Sequence, residues 1–333
     1  MRRGYDAGMR RGHEAQAWRG HEAGMSGLAG RGWTGRGAAA RIAWTRRWHA
    51  LVTAWREFAG DLSGLVGLCV LGTVVLLALL APVLVDPDLL SVTRATGGVL
   101  DPPSGEFWLG TEENGRSVLA LTWYGARVSL LVGVSAAVLS VGIGTVVGML
   151  AGHFRGWSSA VLLRVTDFFL VLPSLVLAIV LSTVLARGLS TIVLAIGVTS
   201  WPATARLVRA QTLTIEARPY IERAHVLGGG HAHILVRHVL PAVFPLVLAN
   251  TTLAVGSAII SESTLAFLGL GAPGTISWGA MLKAALDTGA VTAGAWWYLL
   301  PPGIAIVVVV LGFTLCGRAL ESVLNPNLRG RRR

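Results

Sequence analysis

Residues 62 to 85 read LSGLVGLCVLGTVVLLALLAPVLV, a run with no charged side chain. A hydrocarbon core about 30 Å thick is crossed by roughly 20 residues of helix rising about 1.5 Å each. The run therefore suffices for one crossing, placed near 63 to 85. Five more stretches meet the same test, near 128 to 151, 166 to 186, 189 to 208, 242 to 261 and 298 to 317. Across the 333 residues, 53% are hydrophobic and 14% charged, and mean hydropathy is +0.64. Those proportions exclude a water-soluble domain. The expected fold class is all-α: a polytopic membrane protein of six transmembrane helices. The third and fourth runs are separated by little more than ARGLS, which forces an antiparallel helical hairpin. The fourth turns polar at TSWPATARLVR, so its helix is expected to leave the membrane before the helical pattern stops.

Charge sets the orientation, because Arg and Lys accumulate in short cytoplasmic loops while acids contribute little to the bias. With a cytoplasmic amino terminus, 23 of the 28 basic residues lie on the cytoplasmic side. The other side keeps Arg94, Arg116, Arg127, Arg187 and Lys283. Both termini are thus expected inside a cytoplasmic membrane. The formal net charge of +11 follows from this rule and from contact with anionic lipid headgroups, so it does not call for nucleic acid. Cys69 and Cys316 both fall within spans and read as ordinary packing residues.

The first 50 residues form a basic, low-complexity tail with a degenerate eight-residue repeat, RGYDAGM, RGHEAQA and RGHEAGM. Such a segment buries too little apolar surface to offset its ordering entropy, and disorder is expected there. Translation could also start at Met25. Trp44, Trp48 and Trp55 alternate with Arg41, Arg46, Arg47 and Arg56, which suits a juxtamembrane interfacial helix ending over 51–62. The six-span body then runs over 63–320 and a second basic tail over 321–333. Inside the second span, Gly144, Gly148 and Gly152 recur every four residues, a surface on which another backbone can approach closely.

Two long segments lie on the external side, 86–127 and 263–297, and together suit the capping of an external mouth. On the cytoplasmic side the longest connection between spans is 206–241. Within it, Leu213, Ala217, Tyr220, Ile221, Ala224 and Leu227 mark one helical face, interrupted by Pro219. Two short helices are expected to meet there. The GGG at 228–230 stops the second, since glycine readily takes the left-handed conformation of a helix end. A short amphipathic helix followed by a turn back to the membrane suits docking into a groove on a soluble partner.

Glu222-Arg223-Ala224, then Gly228, then Leu240-Pro241 resemble the signature loop of bacterial binding-protein-dependent ABC importers. Three other stretches are similar to the C-type permease subunit of dipeptide and oligopeptide importers: LGTEENGRSVLALTWYGARVSLLVG (109–133), RHVLP (237–241), and ESTLAFLGLG with SWGAML (262–271, 277–282). The likeness covers about Asp61 to Leu328. It implies the type I ABC importer permease fold, with Glu222, Arg223, Ala224, Gly228 and Pro241 in an ATPase-coupling loop. It implies an external entry motif made of Gly110, Thr111, Gly115, Arg116, Tyr124, Gly125 and Arg127. It also implies partners: a second permease, two cytoplasmic ATPases that bind ATP and Mg, and an external substrate-binding protein, in a bacterial cytoplasmic membrane. This sequence departs from the family pattern at Arg223, at Ser117 and at Asn325-Pro326, which leaves the cargo open.

What is missing narrows the chemistry. A phosphate-binding loop needs glycine-rich amides followed by Lys and Ser or Thr, and the single lysine, Lys283, has no such surroundings. The chain is therefore not read as an enzyme, and no cofactor is expected in it. His225, His231, His233 and His238 invite a metal reading, but no cysteine accompanies them and none is assigned. Asp167 and Glu262, near span ends, are expected to serve as helix caps or salt-bridge partners. An ion-gradient-driven transporter and a nickel or metal-complex importer of the same ABC architecture stand as alternatives.

Overall fold

A computed structural model describes residues 52, 53 and 55–324. The amino-terminal repeat, the first two tryptophans of the cluster and Asn325-Pro326 lie outside the described residues. Residues 52, 53 and 55–59 are helical. Helix α1 (Leu62–Leu84) follows, capped by Asp61, whose carboxylate accepts from the Ser63 backbone N–H at 3.0 Å. A short α2 (Pro87–Leu90) opens the first long connection, and α3 (Val118–His153) starts on the Ser117 cap. Next come α4 (Trp157–Val171), α5 (Ser174–Val184) and α6 (Leu189–Glu216). The loop helices α7 (Pro219–Val226) and α8 (His231–Ile234) lead through a π-helical turn into α9 (Leu240–Leu265). After α10 (Trp278–Asp287), α11 (Trp296–Leu324) closes the described chain.

Five of these helices are long and apolar enough to cross a membrane, and the pair α4–α5 makes a sixth crossing if taken as one bent span. That pair stands where the third span was expected near 166–186, starting earlier, at Trp157, and broken in two. The two helices meet at 88°. The cause is Pro173, which cannot continue the helix and drives Leu172 into extended backbone (φ −79°, ψ 130°). The second span also starts ten residues earlier than expected, at Val118 rather than 128, because Ser117 accepts from Ala120 N–H and nucleates the helix ahead of the apolar run. The fourth helix runs on past its apolar part to Glu216.

Lipid is as apolar as a leucine side chain, so what joins these helices is close contact rather than water exclusion. The stripe Gly144, Gly148 and Gly152 lies against α6. A methyl group at Gly144 would sit 2.6 Å from Thr204 Cβ, and one at Gly152 would sit 2.7 Å from Thr212 Cβ. Helices α1 and α11 meet the same way, Gly67 lying under the Gly312 carbonyl, where a methyl group would approach to 2.8 Å. At one end of the bundle, Trp278 is buried and its indole N–H donates to the Thr122 carbonyl at 2.9 Å, fastening α10 to α3.

Candidate functional site

At the end of the bundle where α6 stops, Arg218 has extended backbone because Pro219 follows it, and Pro219 itself starts α7 at a position where its missing N–H costs nothing. Helix α7 is anchored by one side chain. Ile221 is buried and meets Ile215, Ile234, Val239 and Val243, so both ends of the loop share one apolar cluster. The helix stops where Gly228 takes φ +82° and the Gly229 N–H reaches the Ala224 carbonyl at 2.9 Å. With its inner face committed, α7 turns Tyr220, Glu222, Arg223, Val226 and Leu227 outward, the last two 83% and 86% exposed. Two bare aliphatic side chains beside an acid and a base are unusual for a solvated surface and are suited to a partner. Glu222 makes no ion pair within the described residues. Beside it, Tyr220, Arg223, Ala224, Leu227, Gly229, His233 and His238 line a groove of about 320 Å³. Pro241 stands in the first turn of α9, after a π-helical turn in which Leu240 N–H bonds back to Leu235.

The four loop histidines divide. His233 and His238 face each other on the groove, ring centres 5.6 Å apart, while His225 and His231 turn inward toward His153. Among the described residues no three metal-ligating side chains are arranged to hold an ion.

Mid-bundle lies a feature that sequence reading missed. A cavity of about 490 Å³ opens between α3, the α4–α5 bend, α6 and α9. Its polar lining includes Ser140, Ser174, Thr199, Asn250, Ser257 and Ser261, and none of its lining residues is charged. Asn250 donates to Thr204 at 3.0 Å, tying α9 to α6 at its wall. The bend at Pro173 borders it, exposing backbone where irregular structure is tolerated because it lines a cavity. The signals were Pro173 inside an apolar run and hydroxyls spread over four helices, but their convergence is tertiary.

The stretch 109–133 forms a folded cap at the other end of α3. Gly110 and Gly115 have φ +65° and +74°, and at Gly115 a side chain would collide with the Gly97 carbonyl. Thr111, fully buried, donates to the Gly98 carbonyl at 2.7 Å and accepts from Asp101 N–H at 2.8 Å. Arg116 forms a two-pronged pair with Glu112, its Nη2 to Oε2 distance 3.0 Å, and Tyr298 of α11 donates to the same carboxylate at 3.2 Å. Burial pushes the neighbouring Glu113 carboxyl above its ordinary value, an effect opposed by the Tyr298 hydroxyl and Arg116 and reinforced by Glu112. One Glu113 oxygen is buried without a hydrogen-bond partner. Gly125 lies beneath Trp278. Tyr124 and Arg127 are not gathered into this cap. They stack, cation over ring at 5.1 Å, on the groove between α3 and α1.

Asp167 pairs with Arg206 at 2.7 Å, as expected of a span-end acid. Glu262 does not cap or pair. It is buried and accepts hydrogen bonds from Ser129 at 3.1 Å and Ser263 at 3.3 Å, with Trp278 N–H donating onward to Ser129. The residue is deeper than its place near a span end suggested, because α10 folds over it.

The sequence of the chain matches the family model described as "Binding-protein-dependent transport system inner membrane component" over residues 144–330. It is 34% identical over 286 residues to the oligopeptide transport system permease protein OppC of Bacillus subtilis, covering 84% of this chain and 91% of that protein. The dipeptide permease DppC of the same organism is 35% identical over 277 residues, covering 83% of this chain and 85% of the relative. The di/tripeptide permease DppC of Pseudomonas aeruginosa is 36% identical over 282 residues, 83% and 91% of the two chains. With six candidate spans, a helical loop carrying Glu222 and Gly228, and this extent of likeness, the chain belongs to the inner-membrane components of binding-protein-dependent transport systems.

Proposed function

We propose that this chain is one of two permease subunits in an ABC importer of dipeptides or oligopeptides. The observation that carries the proposal is α7: a helix fixed on one side through Ile221 and presenting Glu222, Arg223, Val226 and Leu227 on the other. In this reading α7 is the coupling helix and sits in a cleft of an ATPase subunit, with Glu222 meeting a basic residue there. Gly228 supplies the turn that sets its exit, and Pro241 the return into α9. ATP and Mg belong to the partner chains. When the ATPases close, α7 moves with them and the displacement reaches the cavity-lining helices. A second, related permease completes the pathway, and an external binding protein delivers cargo to the end built by the 109–133 cap. The arginine distribution supports both termini on the cytoplasmic side of a bacterial cell membrane, with 1–50 and 321–333 as basic tails.

The cavity supports a peptide rather than a free metal ion as cargo. Hydroxyls and one amide can exchange hydrogen bonds with a peptide backbone of any sequence, whereas nickel or zinc would seek imidazole, thiolate or carboxylate, and none lines the space. The absence of a carboxylate there also disfavours coupling to protons, which uses acids along the pathway. The test is reconstitution with both ATPases, the second permease and the binding protein in liposomes. Peptide should stimulate ATP hydrolysis and accumulate inside. Stimulation by nickel alone, or uptake that follows an ion gradient without ATP, would refute the proposal.

A further inference from the structure

Behind the docking face, four helix ends converge on one polar cluster that the coupling reading leaves unused. His153 is the last residue of α3, Glu216 the last of α6, His225 lies in the final turns of α7, and His231 opens α8. His153 engages both of its ring nitrogens. Nδ1 is 2.6 Å from Glu216 Oε1, and Nε2 is 2.9 Å from His231 Nδ1. The His153 side chain is 2% exposed and that of Glu216 14%. His225 stacks on His153, ring centres 6.3 Å apart, with its Nε2 4.0 Å from the second Glu216 oxygen.

An ionised carboxylate only accepts, so His153 Nδ1 carries the proton and donates to Glu216. In the neutral tautomer of His153 its Nε2 is the acceptor, and His231 donates to it from Nδ1. The carboxylate thus fixes the tautomer of one imidazole and, through it, of the next. The result is a directed chain, His231 to His153 to Glu216, joining α8, α3 and α6. The other attachment of the loop, the apolar cluster around Ile221, resists separation but not sliding. Hydrogen bonds with fixed donors and acceptors resist both. Helix α3 also lines the cavity through Ala136, Ala137 and Ser140, so a tie on its last residue connects the loop to the pathway wall.

We propose that His153 is a positioning residue, oriented by Glu216, that passes displacement of the α7–α8 loop to α3. The proposal rests on the reading of α7 as the ATPase-docking helix. Its test uses the assembled complex in liposomes, with three readings: ATPase retained on affinity purification, ATP hydrolysed, and peptide imported per ATP. His153→Leu should keep the ATPase and its hydrolysis while import per ATP falls about tenfold, the scale of a lost charge-assisted hydrogen bond. His153→Gln, whose amide can donate to Glu216 and accept from His231, should restore import per ATP to within about twofold of the native ratio. His231→Ala removes the second of the two His153 bonds from an exposed position and guards against misfolding of the buried variant; it should lower import per ATP, by less than His153→Leu, and the double variant should be no worse than His153→Leu. An unchanged ratio in His231→Ala would overturn the tie, as would a Gln variant no better than Leu. Loss of ATPase retention in these variants would also overturn it, by placing His153 in docking; failure of docking itself is read separately, on Glu222→Ala.

Discussion

Replacing Gly148 by alanine adds one methyl group to the seam between α3 and α6. That methyl would lie 2.5 Å from the Ala205 carbonyl oxygen, 2.9 Å from Val208 Cβ and 3.1 Å from Arg209 N. Two of the three are backbone atoms, which no rotamer change can move aside. Ordinary contact begins at 3.4 Å, so the helices must part locally by about 0.9 Å. Overpacking of this kind costs about 1–3 kcal/mol, while alanine returns ~1 kcal/mol of helix propensity, for a net loss of about 0–2 kcal/mol. Gly142, on the same helix with nothing within 4 Å of its added methyl, supplies the control. Gly142→Ala should be neutral or stabilising by up to about 1 kcal/mol. Equilibrium unfolding of the two purified variants in one detergent compares them directly. Gly148→Ala as stable as Gly142→Ala would refute the close-contact account of how α3 meets α6.

Other expectations follow from the cap and the loop. Glu112→Ala strands Arg116 in a half-buried site and should cost about 3 kcal/mol, whereas Asp167→Ala, from a pair more than 40% exposed on both sides, should change stability by less than about 1 kcal/mol; thermal unfolding separates them. Glu113 has a folded pKa above its unfolded one, so the folded state binds the proton more tightly and its contribution to stability falls as pH rises through the folded value. Glu113→Gln should therefore stabilise the protein at neutral pH, with the gain fading as pH falls through the folded value and gone below about 4.5; a gain that grows in acid would contradict the assignment. Ile221→Ala, emptying a fully buried site under α7, should cost about 2–4 kcal/mol in unfolding measurements, while Leu227→Ser, 86% exposed, should leave stability unchanged and weaken only ATPase association.

Much of this architecture is legible along the chain because membrane helices must be long and apolar, and Pro219 and Gly228 mark the bounds of the loop helix α7. What sequence could not locate depends on convergence in space. Pro173 was visible, but a proline inside an apolar run reads equally as a gentle kink or a sharp bend, and no local pattern sets the 88° angle. Glu112 and Glu262 carry no local sign of burial; the first is met by Tyr298, 186 residues away, and the second by Ser129, 133 residues away. The cavity draws its hydroxyls from separate helices, with no local pattern that joins them. His153 and His231, 78 residues apart, carry no local pattern linking them. The motif at 109–133 was seen as one unit, yet its residues serve two places, since Tyr124 and Arg127 turn toward α1 while the rest build the cap.

The most direct test of the account is the affinity purification of the tagged protein from mild detergent, comparing the native chain with Glu222→Ala. The account predicts an ABC ATPase and a second permease recovered with the native chain, and ATPase recovery reduced several-fold by the substitution while the permease pair persists. Equal ATPase recovery with both chains, or recovery of the native chain alone from cross-linked membranes, would contradict it.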